Sequence, residues 1–105
     1  MDSDQNNVQK LELIKGHFTA TEAREVLMNL INSKLSYHNK KNLRSIERSG
    51  QVDQNSEKRI EELKDMRQKM VELVKKAKEQ GAKMNIHSEI SVEMNPEIKL
   101  SPEFN

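Results

Sequence analysis

The chain has 105 residues, a formal net charge of +1, no cysteine, and equal shares of hydrophobic and charged residues at 33% each. The missing cysteine excludes disulfides, thiolate nucleophiles and cysteine-based zinc sites, and the balanced charge gives no global electrostatic footprint for DNA or RNA. One domain is the natural prior at this length, and with Phe18, Tyr37 and Phe104 as the aromatic residues the composition suits long exposed helices, each with a single apolar stripe.

Residues 1–7 are polar and read as a disordered tail. They lack the basic and apolar regions of a secretory signal, and no segment is apolar enough over enough residues to span a bilayer. A chain without cysteine also fits a reducing, cytoplasmic setting. Residues 8–15 alternate in part and predict a strand, with Leu11 and Leu13 on one face and Lys10 and Glu12 on the other. Gly16 then reads as a divider between periodic segments.

Thr19-Ala20-Thr21-Glu22 has the spacing of a capping box, with Phe18 before it at the staple position. Behind it Ala23, Leu27, Leu30, Ile31, Leu35, His38, Asn42 and Ile46 recur at threes and fours, and Val26, Tyr37 and Leu43 widen the stripe. The spacing predicts a helix over 20–48, stopped by Ser49-Gly50. The polar segment 50–56 offers Asp53, Asn55 and Ser56 as caps for a second helix. That helix, predicted over 54–80, carries Ile60, Leu63, Met66, Met70, Leu73, Val74 and Ala77 on its apolar side and ends at Gly81. After Gly81 the period changes to two. Met84, Ile86, Ser88, Ile90, Val92 and Met94 alternate with polar residues and predict a strand over 84–94. Residues 95–105, with Pro96 and Pro102, read as a flexible tail.

The short loop favours antiparallel helices. So do the charges. Each helix begins acidic and ends basic, which suits the helix dipole and sets the basic end of the first beside the acidic start of the second. The predicted fold is mainly α: a β-α-α-β chain built on an antiparallel, coiled-coil-like helical hairpin with short flanking strands, in one domain over 8–94. The strands can pair with each other or with those of a second copy. Two helices cannot cover so wide a stripe, so the pattern predicts a homodimer or higher homo-oligomer assembled as a helical bundle.

Lys34, Tyr37, His38, Lys41, Arg44 and Arg48 form the candidate interaction surface. A basic stretch with one aromatic side chain can bind an acidic partner or stack on a base, but acids at the start of the second helix are expected beside it. Lys34, His38 and Asn42 interrupt the apolar line, as polar residues that fix register do. His17, His38 and His87 do not have the spacing of a zinc helix. There is no nucleophile elbow, phosphate loop or dinucleotide fingerprint. The sequence therefore predicts no catalytic, metal or cofactor site. Its leading reading is a non-catalytic, self-associating interaction or scaffold protein with no membrane and no cofactor. A small nucleic-acid-associated protein using the basic half of the first helix is the alternative. A third reading is a catalytic site assembled between subunits around Tyr37, His38 and Arg44.

Overall fold

The structure, a computed structural model, describes residues 8–95. The predicted tail over 1–7, and all but Asn95 of the predicted tail over 95–105, lie outside the described residues. The element order is β1 (Val8–Phe18), α1 (Ala20–Ser49), α2 (Gln54–Gln80) and β2 (Met84–Glu93). The β-α-α-β order and both helices match the sequence pattern.

The chain divides into two compact units. The first is the helical hairpin, residues 18–84, in which α1 and α2 pack on each other. The α1 start is a full capping box. The Thr19 hydroxyl accepts from the Glu22 amide at 3.1 Å, and the Thr19 amide donates to the Glu22 carboxylate at 3.0 Å. Both helices end on a left-handed glycine, Gly50 at φ 75° and Gly81 at φ 64°. A Cβ at either glycine would meet nothing within 4 Å, so the backbone conformation, not space, calls for glycine there. Beyond Gly81, the Ala82 amide donates to the Ala77 carbonyl at 2.9 Å and closes the helix end.

The hairpin interior is a single seam. Ile31 and Leu35 pack with Ile60 and Leu63, with Met28 and Met70 at the margin. Toward the open end Ala20, Val74 and Ala77 form a second cluster with Leu27 and Met84.

The second unit is a two-stranded antiparallel ribbon of β1 and β2. His17 bonds Asn85, and the Glu12 carboxylate lies 3.1 Å from His87 Nε2. The predicted first strand is too short. Gly16 sits inside β1, which runs on to Phe18, because a glycine costs a strand entropy but keeps its ladder hydrogen-bonding groups. The burial pattern also differs from the sequence reading. Ile14, Gly16, Ile86 and Ser88 are half-buried. Leu11 and Leu13 are 55% and 51% exposed, and Ile90, Val92 and Met94 are 41%, 45% and 62% exposed. On β1 the half-buried positions Ile14 and Gly16 alternate with the exposed Leu11 and Leu13, and on β2 the apolar face is half-buried from Met84 to Ser88 and exposed from Ile90 on.

Candidate functional site

The residues singled out in the sequence gather near the closed end of the hairpin, and they separate into two groups. His38, Lys41 and Asn42 turn inward and are only 1%, 7% and 8% exposed. Lys34, Tyr37, Arg44 and Arg48 lie at the surface. The Lys34 ammonium is 5.1 Å from the centroid of the Tyr37 ring, and that ring meets His38 edge-on at 5.0 Å.

The inward group forms a polar seam with the start of α2. The Asp53 side chain accepts from the amides of Asn55 and Ser56 at 3.0 and 3.3 Å, which caps the helix. Its other oxygen lies 3.6 Å from Lys41 Nζ. Asn42 works in both directions, accepting from the Asp53 amide at 3.1 Å and donating to the Glu57 carboxylate at 2.8 Å. Ser45 donates to the Gln51 carbonyl at 2.7 Å. Burial pulls the Asp53 carboxyl upward, but the Ser56 amide, the Lys41 ammonium and the Asn55 amide outweigh it and hold it below the ordinary range. The acid start of α2 thus neutralises part of the basic end of α1, as the charge pattern predicted.

His38 Nδ1 and the Ser56 hydroxyl share a 3.2 Å hydrogen bond. Serine and histidine at that distance have the reach of a nucleophile and its base, yet Ser56 is 0% exposed, so no substrate atom can approach it here. His38 Nε2 is buried without a hydrogen-bond partner among the described residues. Burial depresses its pKa, and Lys34, Lys41 and Arg59 add to that, with Asp53 opposing them.

No family model, curated protein or solved structure matches this chain. The seam and the surfaces must be interpreted from their own chemistry.

A depressed histidine pKa has a signed consequence for stability. The unfolded chain takes up the proton near the ordinary value of 6.5, while the folded hairpin resists it to lower pH. Between the two pKa values the unfolded state binds more protons, so stability falls as pH drops and levels off below the folded pKa. Urea unfolding at a series of pH values from about 7.5 to 5 is expected to show this loss, and His38→Gln is expected to reduce it. Equal slopes in both proteins would overturn the assignment.

In the ribbon each histidine has its own partner, Asn85 for His17 and Glu12 for His87. Among the described residues no three His, Asp or Glu side chains converge as metal ligands would. No helix among them is long and apolar enough to cross a membrane.

The inward turn of Lys41 and the Ser56 partner of His38 were not anticipated. A signal for Lys41 existed. It lies three residues beyond His38 and six beyond Leu35, on the flank of the buried line, with a capping aspartate across the bend. The Ser56 partner had no such signal, because Asp53, Asn55 and Ser56 are equally plausible caps by residue type.

Proposed function

We propose that the protein is a non-catalytic, cytoplasmic interaction module that associates with itself, and that the ribbon makes the contact. The observation that carries this reading is the open outer half of the ribbon, where Leu11, Leu13, Ile90, Val92 and Met94 are all exposed. A two-stranded ribbon is marginal in water, and among the described residues each strand of the two-stranded sheet keeps an edge without a ladder partner, open to strand addition.

In the two registers that follow, charge favours the β1 edge. If β1 pairs antiparallel with β1 of a second copy about Leu11, Lys10 of each copy stands opposite Glu12 of the other, and Val8 opposite Ile14. Opposite charges and apolar pairs across a ladder are favourable. The same operation on β2 about Ser91 sets Glu89 against Glu93, which is repulsive. A twofold contact through β1 is therefore favoured, and each change at its centre counts twice.

Sedimentation of the full chain tests this. The expected result is a dimer, returned to the mass of one chain by Leu11→Lys with helical circular dichroism intact. Glu12→Lys should weaken the dimer, and adding Lys10→Glu to it should restore association. A chain that stays monomeric at every concentration would overturn the proposal. The nucleic-acid alternative draws support from the surface cation Lys34 beside Tyr37 and from Arg44, also at the surface. It loses His38 and Lys41, which are turned inward.

A further inference from the structure

One side of the helical hairpin carries a strip of exposed apolar side chains bordered by cations. One residue step turns a helix by about 100°. In an antiparallel pair, residues that immediately precede buried ones fall on the same side of both helices. Leu30 precedes Ile31, Tyr37 precedes His38 and Leu73 precedes Val74. Met66 lies seven residues before Leu73, on its line. These side chains share one side. Leu30 is half-buried, while Tyr37, Met66 and Leu73 are 36%, 39% and 56% exposed. Asn32 follows Ile31 and belongs to the other side, where it accepts from Arg67 at 3.1 Å.

Both sides of the seam carry cations, with Lys40, Lys64 and Arg67 lining the Asn32 side, so the apolar strip is what distinguishes this one. Lys34, Arg44, Arg59 and Lys69 flank the apolar strip, with Glu62 as the acid on the α2 flank, held by Arg59 at 3.2 Å. The remaining acids of α2 follow a different line. Glu57, Glu61, Asp65, Glu72 and Glu79 succeed one another at fours and sevens and fall on the back of the helix and toward the Asn32–Arg67 side, where Glu57 meets Asn42.

We infer that this side of the hairpin binds an acidic amphipathic helix of another protein, laid between α1 and α2 as a third helix. A strip of apolar side chains along two packed helices matches the anchors of a helix at i, i+3, i+4 and i+7, and methionine suits an adaptable contact. The bordering cations select acidic flanks on the incoming helix. They also oppose a twofold contact through this side, because that contact would bring two basic borders together. A nucleic acid would use the cations and Tyr37 but leave Leu30, Met66 and Leu73 uncovered. The inference does not depend on ribbon-mediated self-association.

The test uses the full chain and a fluorescein-labelled peptide of about 20 residues, long enough for a helix of ~30 Å. It carries leucines at helical spacing and glutamates elsewhere. Saturable anisotropy is expected, weakened at least about tenfold by Leu73→Ser and by Lys34→Glu combined with Lys69→Glu. Val71 is 39% exposed on the line of Lys64, toward the other side, and Val71→Ser should leave binding unchanged. Leu73 and Val71 are already exposed, so both variants should keep the wild-type helical circular dichroism. Leu11→Lys should also bind normally, which separates this test from that of the ribbon. No binding of the acidic peptide, or equal binding of its lysine counterpart, would overturn the inference. So would stronger binding of an oligothymidine or of phosphatidylserine vesicles.

Discussion

Replacing Leu63 by alanine is expected to lower the unfolding free energy of the hairpin by about 2–5 kcal/mol, the range for deleting a fully buried leucine side chain. Leu63 is 2% exposed and packs with Ile31, Leu35 and Ile60. The seam has only two helices to line it, so few neighbours can move in to fill the space. A domain this small buries a modest core, and a loss in that range is a large part of its total stability. Urea unfolding followed by far-ultraviolet circular dichroism measures the change. The matched control is Leu73→Ala. Leu73 is 56% exposed, and truncating it is expected to shift stability by no more than about 0.5 kcal/mol. The two leucines are ten positions apart on one helix, so their contrast reports the direction of the seam. Similar effects for both would mean that the buried line of α2 runs elsewhere.

What the sequence made legible is what local chemistry determines. The Thr19 box and the two glycines mark three helix termini by geometry that few other residues satisfy. The threes and fours of α1 and α2 give each helix its buried line, and a short bend leaves antiparallel packing as the direct solution. The errors fall where distant residues decide. Gly16 read as a divider because glycine is more often seen in turns, yet its backbone suits a strand. Alternation gave the shared face of Leu11 and Leu13 and that of Ile90 and Val92, but it shows which residues share a face, not whether anything covers it, and all four are exposed. Lys41 read as a surface cation because its carboxylate partner lies across the bend at Asp53. Net charge did not show where the cations lie, because it sums over lines of residues that face different ways.

Asp53 is the second position where a single change should be costly. Asp53→Ala is expected to destabilise the hairpin by about 2–4 kcal/mol, from two separable sources. Loss of the cap on the Asn55 and Ser56 amides accounts for roughly 1 kcal/mol. The rest comes from removing the carboxylate beside Lys41, whose side chain is only 8% exposed, since a largely buried ammonium that loses its counter-charge is expensive. Asp53→Asn separates the two, because asparagine caps a helix about as well as aspartate but supplies no charge. It should retain the cap and lose the ion pair, and so fall between the wild-type chain and the alanine variant. Acid has a related effect. The Asp53 carboxyl is held below its ordinary 3.8, so its contribution is present above that value and is lost as pH falls through the folded pKa. Asp53→Asn should be less sensitive than wild type in that acid range. If asparagine is as stable as aspartate at neutral pH, the Lys41 pair contributes nothing. The closed end would then be held by the cap and by the bonds of Asn42 across the bend to the Asp53 amide and the Glu57 carboxylate.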